Sequence, residues 1–285
     1  MEIEIFVSFL IGFLFSFWSK KEILKRYIND YLIYFGLPFL ILVSLTERKY
    51  QFFKEFALCV GFFVILSSFL VYHLVKKMKI EPPKKSALFL CSTYGNFAYL
   101  GIPISFLFFG NLGATLSALG SLINGTIHYS LGIYLSNLYL KRKNYALKKT
   151  LSFPLLYGFI IAFFLSHLSI SFPQTIKTLS KTAIYLAVFL VGISLKFQKF
   201  NKIYLWGMFF KFFLLPSIGC FLLLFFDLPH TYKLIFLFLT FTPPALANTL
   251  LSINFKFDTH FTAKLTFFGT LLFLGVVFLI KFFLL

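Results

Sequence analysis

The sequence predicts an all-helical membrane protein with ten transmembrane helices, on the evidence of its composition, its apolar runs and its charge placement. Of 285 residues, 59% are apolar and 13% are charged, whereas soluble domains carry about 25% charged residues. The 45 phenylalanines leave too few polar side chains for a water-facing surface. Unbroken apolar runs favour helices over the alternating strands of a membrane barrel. A single soluble domain and a disordered chain are therefore excluded.

Ten apolar runs are separated by charged residues, and each is close to the roughly 20 residues that a spanning helix needs. Because ten spans and their loops use the whole chain, we expect residues 1–285 to form one transmembrane domain. The predicted spans are 3–19, 30–46, 55–75, 86–109, 113–139, 152–168, 173–195, 203–226, 231–252 and 260–284.

The distribution of basic residues predicts the orientation of these spans. Nineteen Lys and Arg residues fall on one side, seven on the other, and Lys211 lies within a span. Cytoplasmic loops carry the excess of Lys and Arg, so both termini should be extracytoplasmic in a multi-pass plasma-membrane protein. The first run lacks the basic start of a signal peptide, and we expect it to be retained.

The ten spans divide into five plus five around the basic segment from Lys141 to Lys149. Because five is odd, the second half enters the membrane from the opposite side to the first. Residues 1–140 and 150–285 should therefore form two inverted repeats, the topology of many secondary transporters.

Two spans in corresponding positions contain helix-breaking residues. Gly95, Gly101 and Pro103 interrupt the fourth span, and the adjacent Pro243 and Pro244 interrupt the ninth. Proline removes a backbone hydrogen bond and clashes with the preceding turn. Matched interruptions in the two halves point to a transporter binding site, although prolines also simply kink transmembrane helices.

Asparagines flank both interruptions and favour an anionic ligand. Broken helices expose free N–H groups with a positive dipole end near the bilayer midplane. Asn96 and Asn248 can donate to a carboxylate without adding charge, and Tyr94 and Thr249 are further candidates beside the breaks. We therefore expect a binding site for a small organic anion here.

These residues resemble the auxin efflux carrier family in its prokaryotic form. Asn96 followed by Gly101-Ile-Pro103 is similar to the family's fourth span, and Pro244-Ala-Leu-Ala-Asn248 is similar to its ninth. Ile28-Asn29 with Pro38, and Phe153-Pro154, resemble its second and sixth spans. Asn124 falls where plant members carry a glutamine in the fifth span. The chain lacks the long central loop of plant members.

The resemblance implies the crossed-helix fold of bile-acid symporters and sodium/proton antiporters. Spans 1, 2, 6 and 7 would form a scaffold that dimerises, and spans 3–5 and 8–10 would form a transport domain that moves against it like an elevator. It adds Asn124 to the expected site, which otherwise comprises Asn96, Gly101, Pro103, Pro243, Pro244 and Asn248.

The placement of charged residues bears on how transport is driven. All nine acidic residues fall in tails, loops or span ends, whereas ion-coupled carriers commonly hold an intramembrane carboxylate. The sequence thus favours a uniporter that expels an anion with the membrane potential, and coupling to sodium or protons is the alternative. His128 is either a packed neutral side chain or a proton relay. Lys211 either snorkels to an interface or faces a wet cavity, or it attracts an anionic substrate.

Other functional classes find little support. The sequence contains no His-Glu-x-x-His and no Gly-x-Ser-x-Gly motif, so we expect neither an enzyme nor a metal or other cofactor. The net charge of +18 comes from short lysine clusters between apolar runs, which argues against a nucleic-acid partner. The expected function is export of a small carboxylate across a lipid bilayer.

Overall fold

The structure, a computed structural model, describes residues 2–36, 39–40, 43, 52–142, 164, 172–194 and 202–284. Across these residues the chain is helical and contains no β-strand. Most of the predicted sixth span, including Phe153-Pro154, lies outside the described residues, as does Pro38.

Twelve α-helices and four π-helical turns make up the described part of the chain. The helices are α1 Glu2–Phe15, α2 Lys21–Tyr31, α3 Phe53–Lys77, α4 Pro82–Thr93, α5 Ile102–Ile127, α6 Ile133–Tyr139, α7 Gln174–Ser194, α8 Ile203–Phe209, α9 Leu215–Leu222, α10 His230–Thr240, α11 Ala247–Phe255 and α12 Thr259–Leu284. The π-helical turns are Leu32–Gly36, Phe97–Gly101, His128–Gly132 and Phe210–Leu214.

Five helical stretches of the described chain are long and apolar enough to cross a membrane. They are Phe53–Lys77, Phe97–Tyr139, Gln174–Ser194, Ile203–Leu222 and Thr259–Ile280. The helices at the predicted fourth and ninth spans are interrupted, and α1 has only 14 residues. The fold is therefore all-helical and membrane-spanning, while the count of ten inverted spans stays a prediction.

The stretch Phe97–Tyr139 folds back on itself at Gly110. This glycine has φ 60° and ψ −148°, a conformation open to glycine but costly for other residues. The Ser117 hydroxyl donates to the Ser105 hydroxyl at 2.6 Å, although 12 residues of straight helix would separate them by about 18 Å. Two antiparallel segments therefore meet at Gly110, where the sequence placed the boundary between the fourth and fifth spans.

The helices α1 and α7 cross at a pair of glycines. A Cβ at Gly12 would lie 2.2 Å from the Phe189 carbonyl oxygen, and a Cβ at Gly192 would lie 2.4 Å from the Phe9 carbonyl oxygen. Small residues let membrane helices approach closely. The first and seventh spans, both assigned to the expected scaffold, are thus packed backbone against backbone.

Candidate functional site

The fourth span is interrupted over Tyr94, Gly95 and Asn96. The helix α4 ends at Thr93, and the chain resumes as the π-helical turn Phe97–Gly101 before entering α5. The interruption therefore precedes two of the residues expected to create it. Gly101 has helical angles of φ −58° and ψ −52°, and Pro103 lies in the first turn of α5, directly after the π-helical turn.

The ninth span is interrupted between α10, which ends at Thr240, and α11, which begins at Ala247. The two interruptions meet and pair. The Asn96 N–H donates to the Pro243 carbonyl at 2.8 Å, and the Ala245 N–H donates to the Tyr94 carbonyl at 3.0 Å. These bonds form an antiparallel bridge between Gly95 and Pro244, so two backbones freed from helix geometry satisfy each other.

Three buried asparagines hold this crossing. The Asn124 Nδ2 donates to the Gly95 carbonyl at 3.2 Å, the Asn248 Nδ2 donates to the Leu90 carbonyl at 3.3 Å, and the Asn96 Oδ1 accepts from the Tyr99 N–H at 3.1 Å. Each amide keeps one atom without a partner among the described residues: Nδ2 of Asn96, Oδ1 of Asn124 and Oδ1 of Asn248. Among the described residues, Asn96 therefore keeps a free donor, whereas Asn124 and Asn248 keep free acceptor oxygens.

The side chain of Tyr94 packs the first interruption against the third and fifth spans. Its hydroxyl lies 2.8 Å from the Ser68 hydroxyl, and its ring stacks on His128 with centroids 4.2 Å apart. A Cβ at Gly132 would lie 2.7 Å from the Tyr94 ring, so this glycine makes room for it. His128 is buried and stacked as a packing residue would be, yet its Nε2 has no partner among the described side chains.

Lys211 is fully buried in the π-helical turn Phe210–Leu214. It does not snorkel to an interface, which corrects that interpretation of the sequence. Its Nζ has no hydrogen-bond partner among the described residues. Buried charges are normally paired, so an unpartnered amine in a membrane protein points to a functional role.

A polar cluster surrounds this amine behind the crossing. Lys211 is close enough to Cys91 and to His128 for electrostatic interaction with each. Asn248 approaches the His128 ring and the Cys91 thiol. The Cys91 sulfur lies 3.9 Å from the Thr266 hydroxyl. Side chains from the fourth, fifth, eighth, ninth and tenth predicted spans therefore converge here.

A cavity of about 770 Å³ reaches the second interruption. It is lined by α2, α7, α11 and α12, and its wall includes Leu246, Thr249, Thr266 and Thr270. Among the expected site residues Thr249 lines this cavity, whereas Asn96, Asn124 and Asn248 are buried and are not part of its lining. The cavity also contains residues of the predicted cytoplasmic loop before the second span, such as Lys25.

The charges at the mouth of the cavity are balanced. Lys25 lies 3.5 Å from Glu22, and Arg26 lies 3.9 Å from Asp30. Pairs this exposed contribute little to stability, but they leave the mouth without a net charge. Asn29 lines the same region, and its Oδ1 accepts from the Tyr99 hydroxyl at 3.4 Å.

Several residues of this site carried no signal in the sequence. Thr266 and Cys91 look like ordinary residues of apolar spans, and their meeting depends on how the fourth and tenth spans pack. Gly132 and Gly269 likewise matter through their neighbours, since a Cβ at Gly269 would lie 2.6 Å from the Pro244 ring. Asn29, by contrast, belongs to the motif by which the second span resembles the family.

Comparison with known protein families decides the class of the chain. A family described as membrane transport protein matches it twice, over residues 3–145 and over residues 138–280. The chain belongs to this family. The resemblance to the auxin efflux carriers is thereby confirmed. A search of curated proteins returned no match.

Membership makes the chain a multi-pass membrane transport protein and fits secondary transport. The two matches divide the chain near residue 140, as the predicted repeats do. Members of the family are generally transporters rather than enzymes. The paired interruptions therefore belong to a protein whose task is to move a solute across a bilayer.

Proposed function

We propose that this membrane transport protein is a secondary transporter that exports a small organic anion, a carboxylate, from a site at the paired interruptions. The observation that carries the proposal is the antiparallel bridge between Gly95 and Pro244. It brings the start of α11 and the π-helical turn Phe97–Gly101 to one place in the fold, beside a cavity.

The chemistry at this place suits an anion. The N-terminus of a helix carries a positive partial charge that favours an anion. In α11 the Asn248 and Thr249 N–H groups already donate to the Ala245 and Leu246 carbonyls at 3.1 Å, so this helix offers its dipole rather than these two donors. The helix α11 begins at Ala247, and Thr249 in its first turn faces the cavity. The Asn96 Nδ2 adds an unpartnered donor beside the bridge. A carboxylate would accept from the Asn96 amide and from the Thr249 hydroxyl, with Gly101, Pro103, Pro243 and Pro244 shaping the backbone around it.

The position of the cavity supports an elevator-like cycle. Its walls come from α7 of the expected scaffold and from α2, the helix that leads into the second span, on one side, and from α11 and α12 of the expected transport domain on the other. Movement of the transport domain along the scaffold would carry the crossing from one membrane face to the other. We further propose a homodimer through the scaffold helices in the plasma membrane, with both termini extracytoplasmic.

The membrane potential is the simplest driving force for this cycle. Among the described residues no Asp or Glu is buried, and the two carboxylates that line the cavity, Glu22 and Asp30, lie beside Lys25 and Arg26. A cell interior that is negative expels an anion with about 2.3 kcal/mol per charge per 100 mV. Export by uniport follows.

Coupling to protons is the second candidate, and Lys211 favours it. An amine that is neutral without cargo and protonated with cargo would move one proton with each anion. Flux that follows the membrane potential when pH and sodium gradients are collapsed supports uniport. Flux that follows the pH gradient and ignores the potential supports coupling.

Transport in proteoliposomes tests the site. We expect the double variant Asn96→Ala/Asn248→Ala to lose most carboxylate flux while it inserts and purifies normally, because both amides at the crossing are removed. Asn137→Ala is the matched control, since Asn137 is equally buried but bonds the Ile133 carbonyl within its own helix. Equal flux through the double variant and the control would refute the site.

A further inference from the structure

The Lys211 amine differs from every other cationic group in the described structure. It is the only Lys, Arg, Asp or Glu among the described residues that is fully buried, and it has no hydrogen-bond partner there. An isolated ammonium in such surroundings is strongly disfavoured. Its charged form therefore calls for an anion, and none of the described residues supplies one.

A chain of contacts connects this amine to the cavity. Thr266 lines the cavity, and its hydroxyl lies 3.9 Å from the Cys91 sulfur. Cys91 lies on α4, which packs against the π-helical turn that carries Lys211, and it is within electrostatic range of the amine. The amine is thus linked to the cavity wall through Cys91 and Thr266.

The other charged residues that line the cavity are less suited than Lys211 to bind an anion. The basic residues at the mouth are paired with acidic ones, Lys25 with Glu22 and Arg26 with Asp30. His128, the one imidazole of this cluster, stacks on Tyr94. Within the described residues, Lys211 is therefore the one buried cationic residue near the cavity.

We propose that Lys211 is the cationic partner of the transported anion, and that this single buried cation selects cargo with one negative charge over cargo with two. The inference rests on the proposed anion site and deepens it by naming monocarboxylates as the substrate class. A second carboxylate at the inner end of the cavity would be removed from water without a counter-charge, which is costly. The inference holds whether the amine is charged or neutral before cargo binds.

Matched acids test the charge selection on the unaltered chain. The purified full-length protein is heated with monocarboxylates and with dicarboxylates of the same carbon skeleton, such as butyrate and succinate, or benzoate and phthalate. A ligand that binds the folded state raises the unfolding temperature. At matched ionic strength, we expect the best monocarboxylate to bind at least about tenfold more tightly than its dicarboxylate, because the second charge has no partner.

Lys211→Met tests the residue itself. Methionine keeps the length of the side chain and removes the amine, so the ligand-free variant should unfold at the same or a higher temperature, as when buried charges are replaced by apolar groups. Its affinity for the monocarboxylate should fall roughly 30-fold or more, as when one partner of a buried charge pair is removed. Lys202→Met is the matched control, because Lys202 is exposed just before α8.

The outcomes separate the inference from the proposed function. If the unaltered protein responds to no carboxylate, the anion transporter proposal fails. If it responds but Lys211→Met responds equally well, the assignment of Lys211 is wrong and the proposed function stands. If monocarboxylates and dicarboxylates bind alike, the selection by charge is wrong. Loss of binding in Lys211→Met with preference for the monocarboxylate supports the inference.

Discussion

The two interruptions of the transport domain meet in one bridge but are held in different ways. The first, at Tyr94, Gly95 and Asn96, is buried throughout. The Asn124 amide donates to its Gly95 carbonyl. The second runs from Phe241 to Leu246. Its Pro243 and Pro244 cannot donate backbone hydrogen bonds, and its last residue, Leu246, lines the cavity together with Thr249 of the first turn of α11.

This difference suggests a division of labour between the two breaks. The first is fixed by side chains from the third and fifth spans, as the contacts of Tyr94 with Ser68 and His128 show. The second contains two prolines and is bonded to the first through the backbone of Pro243 and Ala245, and it reaches the cavity at Leu246. Substitutions around the first interruption should therefore lower stability, whereas substitutions around the second should lower affinity for cargo.

The largest effect on stability is expected at Gly132. In Gly132→Ala the new Cβ would lie 2.7 Å from the Tyr94 ring, which is fully buried and cannot move away. Overpacking of this kind typically costs about 1–3 kcal/mol, seen as a lower unfolding temperature of the purified protein. In Gly269→Ala the Cβ would meet Pro244 at 2.6 Å, but a segment beside a cavity can shift, and we expect a smaller loss.

Gly275→Ala is the control for both variants, because a Cβ there meets nothing within 4 Å. It should leave the unfolding temperature unchanged or raise it, since alanine favours helix over glycine. A loss in Gly275→Ala as large as that in Gly132→Ala would contradict the steric explanation.

The alanine variants of Asn124 and Asn248 should lose stability by different amounts, although the same group is removed in each. Asn124→Ala removes the donor to the Gly95 carbonyl and leaves a buried acceptor unsatisfied, which costs about 1–3 kcal/mol. Asn248→Ala removes a donor to the Leu90 carbonyl, but that carbonyl also accepts from the Tyr94 N–H at 3.0 Å. Denaturation should therefore show the larger loss of stability in Asn124→Ala. The reverse order would contradict the view that the first interruption depends more on its side-chain contacts than the second.

The smallest effect is expected for two threonines of the second interruption. Thr249→Val removes a hydroxyl from the cavity wall and should weaken carboxylate binding roughly two- to tenfold, the worth of about one hydrogen bond, without lowering stability. Thr242→Val removes a buried bond to the Leu239 carbonyl, 2.7 Å long, and should lower stability slightly without changing affinity. Ligand titration and thermal unfolding of both variants check this pairing.

Much of this arrangement was predictable from the sequence. Two adjacent prolines, Pro243 and Pro244, predict the second break because each removes a backbone hydrogen bond from the helix. Gly110 falls in the predicted loop between two spans. The first break was harder to place, since Gly95 alone carried its signal while Gly101 and Pro103 proved compatible with helix. Lys211 was visible as an intramembrane lysine, but its full burial depends on packing between helices distant in sequence.

Labelling of a cysteine at position 249 tests the central claim, that the paired interruptions hold the cargo. The variant Thr249→Cys is prepared with Cys220→Ala, because Cys220 is exposed while Cys59 and Cys91 are buried. A membrane-impermeant maleimide is applied from the cytoplasmic side, and Tyr27→Cys, exposed outside the cavity lining, is the control. We expect a bound monocarboxylate to slow labelling at position 249 and leave position 27 unaffected. Labelling at position 249 that is indifferent to every carboxylate that binds would contradict the account.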